Sequence, residues 1–125
     1  QRERIIRQTA QIDGVTVPVW VEQEPGSGGK ESAEATIRAL AGWAGYADRV
    51  TGDKYTRAQP FSAQAEARNV KLVRGAWNAA YLDELAVFPN GRNDDQVDAS
   101  SGAFSKLAGA QPGTAAQSIS LRSYR

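Results

Sequence analysis

The stretch GVTVPVWVEQE, rich in β-branched residues, runs into PGSGG and then into KESAEATIRALAGWA, where Ala33, Ile37, Leu40 and Ala41 recur at helical spacing. A pleated surface accommodates β-branched side chains, and an apolar stripe of period 3.6 is one face of a helix. The order therefore reads as a strand ending around Glu22 to Glu24, a glycine turn and a helix. Pro18 has no amide hydrogen and limits ladder bonding near the start of that strand.

The alternation continues on both sides. QRERIIRQTAQIDG reads as a charged helix with Ile5, Ile6 and Ile12 spaced for one face, and YADRVT as a short second strand. FSAQAEARN follows as a helix, VKLVRG as a strand, and NAAYLDELAVF as a helix offering Ala80, Leu82, Leu85 and Val87 to the core. NDDQVDASSGAFSKLA closes the series with Val97, Phe104, Leu107 and Ala108. Strands alternating with helices through short connections specify an α/β fold with a mainly parallel sheet flanked by helices. The small, polar run GAQPGTAAQSISLRSYR predicts a flexible tail over 109–125, leaving one domain over 1–108. There is no internal repeat.

Composition narrows the chemistry. With 125 residues, 41% of them hydrophobic, the chain can build one soluble domain of modest core, and no run approaches the roughly 20 apolar residues of a membrane span. Fifteen Lys and Arg against fourteen Asp and Glu leave a net charge of +1, so any nucleic-acid surface must be a local cluster. The absence of cysteine excludes disulfides and thiolate metal sites, and the absence of histidine removes the commonest metal ligand and general base. A bound metal would be a hard cation held by oxygen, for which Mg²⁺ or Mn²⁺ fits better than Ca²⁺ or Zn²⁺. No methionine is present, and the first helix begins without a cap or polar lead-in, so a C-terminal piece of something longer is expected. No signal or lipidation motif is visible, which points to the cytoplasm.

PGSGGKES resembles a phosphate-binding loop but departs from it, since Glu24 stands where that loop needs glycine and Glu31 where it needs Ser or Thr. Two carboxylates there would repel a triphosphate, and a glycine turn between strand and helix explains the run.

The acids elsewhere are more specific. Trp20, Glu22 and Glu24 project to one face of a strand, so charge gathers at the carboxyl end of a strand, where open α/β sheets bind ligands. In FPNGRNDDQVDASSGAF, Asp94, Asp95 and Asp98 crowd the first turn of a helix at spacings of three and four. Carboxylates suit a helix N-terminus as caps, but like charges so close are destabilising unless a cation or water relieves them. Spacing alone leaves both a solvated acidic helix start and a metal site open. Between Arg49 and Arg74 the chain is locally basic, with Lys54, Arg57, Arg68 and Lys71 interleaved with Tyr55 and Phe61, a pattern suited to sequence-independent phosphate contact or simply to a solvated face. Trp43 and Trp77 are expected to pack rather than to stack on bases.

VWVEQEPGSGGKE and GDKYTRAQPFSAQAEARNVKLVRGAWNAAYLDELAVFPNGRNDDQVDA together resemble the C-terminal nuclease domain of the large terminase subunit of tailed bacteriophages, over residues 17–108. The late motif of that family is commonly His-Asp-Asp-x-x-Asp-Ala; here Asn93 replaces the histidine while Asp94, Asp95, Asp98 and Ala99 match. The resemblance implies a ribonuclease H-like fold and an endonuclease that cuts double-stranded DNA concatemers during genome packaging. It also implies carboxylates holding Mg²⁺ or Mn²⁺ as two ions. The catalytic metal ligands implied are Glu22, Asp94 and Asp95, with Glu24 and Asp98 as second choices, and Lys54, Arg57 and Arg74 become candidate DNA contacts. Implied partners are double-stranded DNA, the terminase small subunit and the portal protein, in the cytoplasm of an infected bacterial host.

The family's remaining acid lies on the first strand of a hairpin ahead of a helix like residues 2–13, and nothing here matches it. The resemblance therefore implies a nuclease domain truncated at its N-terminus, inactive alone and prone to self-association through an open strand edge. Two rivals share some of these features. One is a ribonuclease H-like resolvase or integrase, and the other is a non-catalytic docking module of the packaging motor.

Overall fold

The computed structural model describes residues 1–109. Five helices and two strands follow in the order α1 (Arg2–Asp13), β1 (Val19–Gln23), α2 (Ser27–Ala39), β2 (Gly45–Arg49), α3 (Lys54–Glu66), α4 (Asn78–Val87) and α5 (Asp95–Gly109). They divide into two compact units, Gln1–Thr51 and a second beginning at Gly52. Apart from Gly109, which ends α5, the tail expected over 109–125 lies outside the described residues.

The first unit is the expected β-α-β arrangement. β1 and β2 pair in parallel with Val19 opposite Gly45, Trp20 opposite Tyr46, Val21 opposite Ala47 and Glu22 opposite Asp48. Along β1 burial alternates, with Val19, Val21 and Gln23 half-buried and Trp20 and Glu22 exposed, as the pleat dictates. Helix α2 packs on both strands, burying Ala33 and Leu40 to 1% exposure. Thr36, also fully buried, is satisfied because its hydroxyl donates to the Ser32 carbonyl at 3.1 Å and accepts from the Arg2 guanidinium at 3.1 Å. The strand reaches this helix through a turn that requires glycine at two places. Gly26 holds φ at +95°, and a Cβ on Gly29 would collide with the Glu24 carbonyl. α2 accordingly starts at Ser27, inside the glycine run, three residues before the expected helix start.

Helix α1 packs by a different stripe from the one its isoleucines suggest. Ala10 is buried and Ile6 half-buried, whereas Ile5 and Ile12 are exposed. At 100° per residue Ile6 and Ala10 share one face and Ile5 and Ile12 another. The first face wins because small Ala10 admits Trp43, whose indole N–H donates to the Ala10 carbonyl at 3.2 Å, while Arg7 lies 5.9 Å from the centre of the same ring. Trp43 is thus a packing residue, as expected.

The second unit is helical. α3 begins seven residues before the expected Phe61, because Asp53 caps it: the Asp53 carboxylate accepts from the Thr56 amide and hydroxyl, both at 2.8 Å. Pro60 then sits inside the helix, its missing N–H removing one intrahelical bond. Ala58 and Phe61 are buried, and Phe61 meets Phe104 of α5 at 6.1 Å between ring centres. The core face of α4 is shifted from the expected one, with Leu82 and Val87 exposed and Tyr81 buried instead. Tyr81 turns inward because its hydroxyl finds Ser100 at 2.7 Å, and Trp77 packs edge-on against it at 5.7 Å. On α5, Val97 is buried as expected while Leu107 is exposed.

VKLVRG does not form the expected strand; only Leu72 makes an isolated bridge. The reason lies just beyond it. The Asn78 side chain accepts from the Gly75 amide at 2.6 Å and donates to the Val73 carbonyl at 3.2 Å, so local side-chain bonds take backbone groups that a ladder would use.

Two outcomes follow from these helix ends. Arg68, just past the end of α3, has φ 64°, a left-handed conformation that costs a side chain about 1 kcal/mol. Arg68→Gly should raise stability by about that amount, seen as a melting temperature a few degrees higher. The Thr56 amide and hydroxyl hold the Asp53 carboxyl below its ordinary value of 3.8. A depressed carboxylate contributes stability above its unfolded pKa and loses it as pH falls through the folded value. The gap in melting temperature between wild type and Asp53→Ala should therefore be widest above about pH 5 and narrow below about pH 3.

Candidate functional site

Glu22 stands next to the end of β1 on its exposed face, in line with Trp20. The parallel register sets Asp48 beside it on the same face, one strand over, and Trp20 and Tyr46 one step earlier stack at 4.8 Å between ring centres. The carboxyl end of this strand pair thus carries two acids side by side, preceded by an aromatic pair. Asp48 was not among the sequence candidates, because only the register of β2 reveals it. Glu24 lies past the strand, exposed, with its backbone packed on Gly29.

Asp94, Asp95 and Asp98 gather at the start of α5, but they are not what satisfies its first amides. The cap comes from another helix. Glu84 of α4 accepts from the Gln96 and Val97 amides at 2.6 and 3.1 Å through one oxygen and from the Gln96 side chain at 2.7 Å through the other. These are unpaired first-turn N–H groups, and the carboxylate also meets the positive end of the helix.

Asp94 and Asp98, one turn apart, turn to α3. The Lys54 ammonium lies 3.0 and 2.9 Å from the two oxygens of Asp94 and 2.8 Å from Asp98, and Arg57 reaches the other oxygen of Asp98 at 3.3 Å. Asp98 is the more buried acid, its side chain 12% exposed, so it is the one that two cations compensate. The Arg57 Nε is buried without a hydrogen-bond partner among the described residues. Asp98 first, and Asp94 with it, raise the Lys54 ammonium well above its ordinary value. A raised lysine contributes stability in full below its unfolded pKa and loses it only as pH climbs through the folded value, so this anchor persists throughout the neutral range.

Asp95 faces outward and is exposed. Arg74 is exposed in the connection between α3 and α4. The structure therefore places Lys54 and Arg57 on Asp94 and Asp98, while Glu22 belongs to the first unit and Asp94 and Asp95 to the second. Among the described residues no group of three or more acids is close enough together to hold a metal ion. The donor chemistry of Glu22, Asp94 and Asp95 is nonetheless all carboxylate oxygen, which suits a hard divalent cation.

Sequence reasoning missed Glu84 and the partnership of the basic residues with the late acids. A signal for the second existed: starting the helix at Asp53 puts Lys54 and Arg57 three apart on one face, matching acids four apart on another helix. Glu84→Ala should unfasten the start of α5 and cost about 1–3 kcal/mol, since it strands amides that were bonded to a charged partner. Chemical denaturation measures this, and Glu84→Gln, which keeps an acceptor, should recover part of the loss.

A family model described as a terminase RNaseH-like domain matches residues 1–107. Comparison with curated proteins and with solved structures gives no match.

Proposed function

We propose that this chain, which belongs to the terminase RNaseH-like domain family, is a divalent-metal-dependent endonuclease that cuts double-stranded DNA concatemers during phage genome packaging. The family match carries the reading, since it runs through both acid-bearing segments, from Glu22 at the end of β1 to Asp98 in α5. Membership implies a role in phage DNA packaging, and the family implies divalent metals.

Glu22, Asp94 and Asp95 are the acids assigned to Mg²⁺ or Mn²⁺, in two ions, with Glu24 and Asp98 as alternatives. Bound there, the ions would supply a hydroxide at neutral pH and positive charge against the phosphorane-like transition state. The chain's own contribution begins with charge placement. Glu22 and Asp95 present exposed carboxylates, from a strand end and a helix start respectively. Asp98, tied to Lys54 and Arg57, fixes α3 against α5 and so sets where Asp94 stands. Arg74 is exposed and suits a phosphate contact, while Lys54 and Arg57 can reach phosphate only by leaving their acids.

Double-stranded DNA, the terminase small subunit and the portal protein are the partners this role requires, in the cytoplasm of an infected bacterium. No helix among the described residues is long and apolar enough to cross a membrane. The test is plasmid nicking in Mn²⁺ by the full-length protein. Glu22→Ala and Asp95→Ala should each lower the rate at least about a hundredfold with the helical circular dichroism unchanged, because losing a metal ligand removes more than the 10–100-fold of an outer contact. Nicking at the wild-type rate in both variants would overturn the assignment of these acids as ligands, and a wild type that does not nick would sink the nuclease reading and leave a docking role.

A further inference from the structure

A divalent cation at Asp94 would need the same oxygens that the Lys54 ammonium now holds. Lys54 lies within 3.0 Å of both oxygens of Asp94 and within 2.8 Å of Asp98, so one ammonium spans the two carboxylates. We propose that Lys54 is an intramolecular competitor of the divalent cation: it occupies Asp94 in the metal-free protein and must be displaced for metal to bind there. The inference rests on the assignment of Asp94 as a metal ligand.

The two acids are not equivalent in this exchange. Among the described residues Arg57 bonds Asp98 and does not bond Asp94, so withdrawing Lys54 leaves Asp98 with a cation and leaves Asp94 with none of theirs. Asp98 is the more buried of the two, 12% exposed against 32% for Asp94, which makes it the anchor and Asp94 the acid that is released. Lys54 itself is 47% exposed on a flexible four-carbon stem, and its head can swing into water without unpacking α3. The helix is held independently at this end by Asp53 and Thr56. Charge also opposes coexistence, since an ammonium left beside a divalent ion would repel it at a few ångströms.

Mn²⁺ binding to the 125-residue chain, read from the electron paramagnetic resonance of the free ion, tests this without reference to cleavage. Lys54→Met should bind Mn²⁺ on the order of tenfold more tightly than wild type, and Lys54→Arg, which keeps the charge, should stay near wild type. Adding Asp94→Asn to Lys54→Met should abolish the gain. Equal affinity in wild type and Lys54→Met would overturn the competition while leaving the metal assignment standing. Absence of Mn²⁺ binding in every variant would overturn both. Should Lys54→Met fail to fold, the unsubstituted chain decides: the Lys54 ε-methylene signal in nuclear magnetic resonance should shift saturably as Mg²⁺ is added, and a signal that stays still at metal saturation would overturn the proposal.

Discussion

The start of α5 is the point on which the second unit depends. A helix beginning with Asp94, Asp95 and Asp98 brings three negative charges to a place that also exposes unbonded amides, and neither can be left unanswered beneath other helices. The structure answers each from a different element. Glu84 of α4 takes the amides, and Lys54 and Arg57 of α3 take two of the carboxylates. Removing Glu84 would strand amides and removing Lys54 would strand the Asp94 carboxylate, so the polar contacts fix the arrangement that Phe61, Tyr81 and Val97 then fill.

The first unit is governed by close approach instead. Gly29 lets the first turn of α2 lie on the Glu24 carbonyl, and Ala33, Thr36 and Leu40 bring the helix down on the strands. The polar exception, Thr36, is where Arg2 joins α1 to α2, and Ala10 with Trp43 makes a second junction. Small residues set the spacing and two hydrogen bonds set the registration. The same economy leaves Ile5, Ile12, Trp20 and Tyr46 at the surface.

Much of this could be read from residue order. The strand over 19–23, its turn into α2, the second strand, the helices and their parallel α/β plan follow from β-branched runs, glycines and helical stripes. Failures cluster where a polar contact overrode an apolar pattern. Tyr81 displaced Leu82 and Val87 from the core because Ser100 could bond it, and Asn78 drew Val73 and Gly75 away from a strand. That Glu22 sits near a strand end and the late aspartates at a helix start was legible from position alone, since strand ends and helix starts are local features. Glu84 was not, because a cap supplied from a neighbouring helix leaves no spacing along the chain. Asp48 stayed hidden for a similar reason, as its place beside Glu22 exists only once two strands are in register.

The ion-pair cluster also shapes how this sequence can drift over generations. Lys54 answers Asp94 and Asp98 together, and Arg57 shares Asp98, so positions 54, 57, 94 and 98 form one charge ledger drawn from two helices. Among the described residues, losing Lys54 leaves Asp94 without its counterpart and losing Asp98 leaves Arg57 without one, changes selection would remove, whereas a paired replacement passes. Asp95, exposed beside this cluster, is under no such structural tie. Restraint on position 95 among descendants would thus have to come from what the residue does, while restraint on position 98 is already accounted for by what it holds together.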